Sequence, residues 1–349
     1  MCPSNETPGS EGELIRLFKD LFESDSPPAD LILGIGDDAA VFEPGADPET
    51  RFVVTTDMLV EDVHFRRNIH SFYDIGWRTA AANLSDVAAM GALPRWGVAT
   101  IAVPSNVTTH DIMEFARGIR DAMSEHGAWV IGGDLTRSTD KISISMTLIG
   151  ETTIRVLTRS GAQLGDVIAV TGHLGASGAG LALLEAGDTK VSEEIGDAVV
   201  GKHLRPDARV LAGQVFANSE GIHAMMDISD GLGIDLGRLC LASRVGARVF
   251  EELIPVSDEV LKVAEALGRD HLDFVNSGED FELLVTGDRK AVESAARILA
   301  NESPGLLVSI VGEIIDAPFG INLARVDGSV INPSQLGWDH FRRSEGPGE

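Results

Sequence analysis

The chain has 349 residues, 44% of them hydrophobic and 23% charged, enough to bury the cores of two domains. Its 54 acidic residues against 28 basic ones give a formal net charge of -26, which would repel a nucleic-acid backbone or an anionic membrane surface. Cys2 and Cys240 are its two cysteines, so a disulfide framework is excluded, and neither a basic, apolar leader nor an apolar run of about 18 residues is present. The expectation is a cytoplasmic protein with neither nucleic acid nor membrane as partner.

In chain order, residues 1–11 read as a disordered lead-in rich in Pro, Ser, Glu and Gly. Helical spacing begins at GELIRLFKDLF. The runs LILGIG, RFVVTTD, WGVATIAV, WVIGGD and KISISMTLIG read as strands, and DIGWRTAAANLSDVAAMGA and THDIMEFARGIRDAMSEHGA as helices. The period is too irregular for a strict βαβ array. RVLTRSGAQLGD is polar and turn-rich, which suggests a junction near residue 152. Beyond it DVIAVTGHLGASGAGLALLEAG reads as strand, glycine turn and helix. HAMMDIS, GARVF, FELLVTG and LLVSIVGEII follow as strands, DGLGIDLGRLCLAS and RKAVESAARILA as helices. The fold class is α/β in two domains, 12–151 and 152–349.

Gly34, Gly36 and Ala39 in LILGIGDDAA match the G-x-G-x-x-A spacing of a dinucleotide-binding turn, yet Asp37 and Asp38 fill the loop. A phosphate held there would need a cation between. Other carboxylates also stand at element ends: Asp57 after FVVTT, Asp134 after VIGG, Asp227 and Asp230 in MMDISDG. Asp86 lies in an Ala-rich helix beside Asn83. Each alone reads equally as a turn, a helix cap or a solvated residue. Together, in a chain without Cys/His ligand spacing, they favour Mg²⁺ held by carboxylates and phosphate oxygens. The glycines of TGHLGASGAG could offer N–H groups to an anion, although close packing of helix on sheet explains them better. His64 has no His or Cys partner at ligand spacing and suits substrate hydrogen bonding. Trp338 in LGWDHF reads as a docking plug or an aromatic platform.

Nine stretches in order, GIGDDAAVF, TTDMLVEDVHF, AANLSDVAAMGALPRW, IGGDLTRS, LTRSGAQLGD, HLRPDARV, DISDGLGIDLGRL, SGEDFELL and GWDHF, resemble the thiamine-monophosphate kinase family. That family belongs to the superfamily of aminoimidazole ribonucleotide synthetase and selenophosphate synthetase. The resemblance runs from about Gly12 to Phe341. It implies transfer of the γ-phosphoryl of ATP to thiamine monophosphate, by direct in-line attack without a protein base. It further implies several Mg²⁺ ions on Asp38, Thr55, Thr56, Asp57, Asp86, Asp134, Asp227 and Asp230, with Asp38, Asp86, Asp134 and Asp230 as the catalytic carboxylates. ATP would lie along Gly133, Asp134, Arg159 and Ser229. The thiamine part would meet His64, Glu279 and Trp338, the last as a platform for the cationic thiazolium. The implied architecture is a homodimer through the N-terminal sheet, with the ligand cleft between domains. Asp62 departs from the pattern, standing where glycine is common. The alternatives are another ATP-using member of the superfamily, or a non-catalytic Mg²⁺/nucleotide-binding protein.

Overall fold

The computed structural model describes residues 31–33, 37–42, 49–187, 191–333 and 337. The lead-in, the helix expected from GELIRLFKDLF, the glycines Gly34 and Gly36, and Trp338 lie outside the described residues.

The first domain is a six-stranded sheet in the order β1-β2-β3-β6-β4-β5. Its strands are β1 (Leu31–Leu33), β2 (Ala40–Phe42), β3 (Arg51–Val60), β4 (Leu93–Val103), β5 (Trp129–Arg137) and β6 (Ser143–Thr152). Neighbours pair antiparallel except β4 and β5, which run parallel. The period of two along β3 divides its side chains between faces: Val53, Thr55 and Leu59 are buried, while Thr56 and Met58 are exposed. Helices α1 (Phe72–Ala89) and α2 (Thr109–Glu125) cover the buried face.

The second domain holds a seven-stranded sheet, β13-β12-β9-β11-β7-β10-β8. The strands are β7 (Val167–Thr171), β8 (Ile222–Ile228), β9 (Gly246–Phe250), β10 (Glu282–Gly287), β11 (Val308–Ile315), β12 (Ile321–Ala324) and β13 (Val330–Ile331). Its helices are α3 (Ala176–Ala186), α4 (Glu193–Leu204), α5 (Val210–Ala217), α6 (Leu232–Ser243), α7 (Asp258–Leu267), α8 (His271–Val275) and α9 (Arg289–Glu302). Antiparallel pairing prevails here too, with β12 and β9 parallel. The strands expected from HAMMDIS, GARVF, FELLVTG and LLVSIVGEII are β8 to β11. Helices α4 and α5 escaped the sequence reading because their apolar positions are few or unperiodic; α7 escaped it although Val260, Val263 and Ala264 recur at helical spacing.

One hydrophobic cluster joins the domains. Leu84, Val87 and Ala88 of α1 pack with Phe216 of α5, Met225 of β8 and Leu299 of α9. Helix α1 is therefore buried on nearly every side, polar Arg78, Asn83 and Ser85 included, and its small alanines permit the close packing. Its crossing with α2 is unusually close. A Cβ on Gly76 would fall 2.0 Å from the Phe115 carbonyl oxygen, and one on Gly118 would fall 2.0 Å from that of Tyr73. Asp62 adopts φ +69°, the left-handed region where glycine is easiest, and pairs with Lys141. This explains why glycine is common there.

Gly118→Ala should push α1 and α2 apart and cost about 2 kcal/mol or more of folding stability, despite the better helix propensity of alanine. Urea titration of both proteins measures it; equal midpoints would contradict the close crossing.

Candidate active site

Asp38 stands in the turn between β1 and β2, Asp86 in the last turn of α1, and Asp227 near the end of β8. Carboxylate oxygens from these three residues lie within 4.8 Å of one another. Two domains thus contribute to one acidic cluster. Thr55 Oγ1, on the buried face of β3, donates to Asp86 Oδ2 at 2.5 Å, and Ser85 Oγ donates to Asp227 Oδ2 at 2.8 Å. Burial first, then the charges of Asp57, Asp227 and Asp38, raise Asp86 well above the ordinary carboxylate range. Asp227 is raised likewise, by burial and by Asp38 and Asp235. Asp57, two residues beyond Thr55, is pushed up to about 6 by burial and the charges of Asp230 and Asp38.

Arg159, from the segment joining the domains, is the cation that faces these acids. Its Nη2 donates to Asp38 Oδ1 at 2.7 Å and its Nε to Asp38 Oδ2 at 3.1 Å, a two-point grip. The Arg159 backbone N–H donates to Asp37 Oδ2 at 3.2 Å. Ser243 Oγ, from the end of α6, donates to the Arg159 carbonyl at 2.7 Å and holds the segment. The two aspartates that look misplaced in a dinucleotide turn are therefore half of an ion pair.

The turn after β8 is shaped by Asp235 of α6. Its Oδ2 accepts the N–H groups of Ser229 at 3.0 Å and Asp230 at 2.9 Å. Burial and the neighbouring Asp230 push Asp235 up to about 7. Arg238 pairs with both Asp230 and Asp235. Glu279 joins the same surface, since its N–H donates to the Ser229 carbonyl at 2.8 Å.

The structure thus gathers Asp38, Thr55, Asp57, Asp86, Arg159, Asp227, Ser229, Asp230 and Glu279. Thr56 and Asp134 fall elsewhere. Thr56 Oγ1 meets Thr147 Oγ1 at 3.1 Å on the open face of the sheet. Gly133 and Asp134 lie on the exposed edge strand β5, and Asp134 pairs with Thr100, also on the open face. Three strand spacings, about 14 Å, separate β5 from β3. His64 follows β3, and its Nδ1 accepts the Val60 N–H at 3.0 Å.

Other motif residues are structural. Asp280 caps α3 by accepting the N–H groups of Gly175 at 2.7 Å and Ser177 at 3.2 Å. A carboxylate already fills the anion position at that glycine-rich helix start, in agreement with the packing reading. Glu282 accepts Arg209 Nε at 2.7 Å and Thr171 Oγ1 at 2.6 Å. Sequence reasoning missed Ser85 and Asp235 as supports of the cluster, although both stand inside motifs it quoted. It also missed Arg78, whose side chain is buried against Glu279.

The model of the AIR synthase related protein N-terminal domain matches residues 36–152, and that of the C-terminal domain matches residues 163–321. The thiamine-monophosphate kinase of Rhodopirellula baltica is 37% identical over 291 residues, covering 82% of this chain and 84% of that protein. The thiamine-monophosphate kinase of Escherichia coli (strain K12) is 35% identical over 315 residues, covering 89% and 93%. Among solved structures, AaThiL complexed with AMPPCP and TMP is similar with a TM-score of 0.81 and 32% identity, over 95% of this chain and 97% of that one. With both domain models matched in order, and kinases of one name aligned over most of their own length, the chain belongs to the thiamine-monophosphate kinase family.

Proposed function

We propose that the protein transfers the γ-phosphoryl group of ATP to the phosphate of thiamine monophosphate, yielding thiamine diphosphate and ADP. We further propose that it acts in the cytoplasm as a Mg²⁺-dependent homodimer. The observation that carries this reading is the cluster of Asp38, Asp86 and Asp227, assembled by both domains beside Arg159. AaThiL, at 32% identity, is solved in complex with AMPPCP and TMP. The direct test is incubation with ATP, Mg²⁺ and thiamine monophosphate, followed by separation of thiamine diphosphate and ADP. Failure to form both products would overturn the reading.

The cluster offers only oxygen donors, and burial together with mutual repulsion raises Asp86 and Asp227, so a hard divalent cation fits it. Asp38, Thr55, Asp57, Asp86, Asp227 and Asp230 would hold such ions, and bound Mg²⁺ would supply the positive charge that two phosphate groups lack. ATP brings about four negative charges and the monophosphate about two, with a second pKa near 6. The acceptor is already an oxyanion at neutral pH, so the protein needs no general base. Its residues instead align donor and acceptor in line and exclude alternatives. Arg159, fixed from Ser243, can turn its guanidinium from Asp38 toward a phosphate. Ser229 would lie along the nucleotide, and His64, Glu279 and Trp338 along the acceptor.

The dimer reading also accounts for Gly133 and Asp134. The open face carries Met58, Trp96 and Val98, and the exposed β5 beside it carries Trp129 and Ile131, the latter two 72% and 63% exposed. A second copy is the partner whose surface is self-complementary to such a patch. In that assembly β5 of one copy would be free to approach the nucleotide bound by the other.

Asp86→Asn keeps shape but removes one buried negative charge and one ligand. In EDTA at pH 8 its melting temperature should equal or exceed that of the unchanged protein, because repulsion is relieved. With saturating ATP and Mg²⁺ its turnover should fall by about 10²-fold or more. Near-normal turnover would remove Asp86 from the site. Separately, light scattering should give about twice the 37.0 kDa chain mass, and Val98→Glu on the open face should shift the protein to monomer.

A further inference from the structure

Arg78 projects from α1, in the first domain, into the second domain, and its side chain is 2% exposed. Its Nη2 lies 2.5 Å from Glu279 Oε1, and its Nη1 donates to the His203 carbonyl. Among the described residues its Nε finds no partner, and the guanidinium is held by these two contacts. The groups around it are two imidazoles and the carboxylate of Asp74. His70 Nε2 meets His203 Nε2 at 3.1 Å, and His203 Nδ1 meets Ser177 Oγ at 3.1 Å, a buried imidazole chain. Burial and the adjacent Arg78 hold His70 down to about 4, so that it is uncharged. Asp74, the nearby carboxylate on the same helix, is engaged by Arg205 Nε at 2.7 Å.

Glu279 needs such an anchor. It stands at φ +63°, in the left-handed region that a residue with a side chain enters at a cost. Its backbone is tied to the Ser229 carbonyl, while its carboxylate remains 30% exposed. One oxygen is gripped by Arg78, which leaves the other able to face a ligand. Asp86 stands eight residues beyond Arg78 on α1, about 12 Å along the axis. A single rigid helix therefore sets the distance between the acidic cluster and Glu279.

We propose that Arg78 is a positioning residue for the acceptor: it fixes the Glu279 carboxylate across the domain boundary, so the acceptor site exists in its binding geometry when α1 is docked on the second domain. This rests on the proposed contact between Glu279 and the thiamine part of the acceptor. With its side chain 2% exposed, Arg78 acts on the acceptor through Glu279.

The experiment compares the unchanged protein with Arg78→Met, Arg78→Lys, Glu279→Gln and the double variant Arg78→Met/Glu279→Gln. The readouts are KM for thiamine monophosphate, KM for ATP, kcat, and acceptor binding by calorimetry. Product formation by the unchanged protein comes first, and its absence would overturn the proposed function rather than this inference. Arg78→Met should raise the acceptor KM about 10-fold or more, with KM for ATP and kcat within about 2-fold. Arg78→Lys should restore part of the loss, because charge and stem are kept. The double variant should be no worse than the weaker-binding single variant, because both changes break the same link. Additive losses, or equal rises in both KM values with a fall in kcat, would make Arg78 a structural residue only. Should Arg78→Met not fold, Arg78→Lys decides: an acceptor KM unchanged from the parent protein overturns the proposal.

Discussion

Repulsion between carboxylates that the fold forces together is the constraint around which this molecule is arranged. Asp38 and Asp227 are almost wholly buried, and with Asp86 they bring three acids within a few ångströms. No folded chain tolerates that without countercharge or protonation. Arg159 supplies one countercharge through its two-point grip on Asp38, and hydroxyls of Thr55 and Ser85 soften the rest. Burial first, and then the remaining like charges, raise the pKa values of Asp57, Asp86 and Asp227. A hard cation would relieve the repulsion that folding has already created in such a site.

Helix α1 transmits the constraint. It packs against the first sheet, α2, α5 and β8, so its register relative to both domains is fixed on all sides. Along one helix it carries Arg78, Ser85 and Asp86, which face Glu279, Asp227 and the acidic cluster in turn. The glycines at its crossing with α2 are part of the same device, since a wider helix spacing would displace every one of these contacts. Positioning by a packed helix suits a reaction that depends on alignment more than on proton transfer.

Motif density did not distinguish chemistry from scaffolding. In SGEDFELL, Glu279 pairs with Arg78 of the other domain, Asp280 caps a helix, and Glu282 binds Arg209 of the HLRPDARV stretch. Three acids within four positions serve three purposes. Side-chain direction and the local partner decide among them, and neither is a property of spacing along the chain.

The chain by itself determined the α/β class, most strands and long helices, the acidic set and its oxygen-ligand chemistry. Those follow from local causes: alternation along β3, the Ala-rich continuity of α1, and carboxylates at strand ends. The helices α4 and α5 were not legible, because their stability comes from tertiary packing rather than from a clean apolar stripe, whereas α7 has such a stripe in DEVLKVAEAL and was legible but unread. Tertiary structure alone decided that Arg159 grips Asp38 across 121 residues and that Arg78 reaches Glu279 across 201. It also decided that Thr56 faces away from the cluster that its neighbours Thr55 and Asp57 join, and that Asp134 lies three strands from them on the edge strand β5. Electrostatic partners act through space over a few ångströms, and only the packing of two domains on one helix brings those atoms within that range.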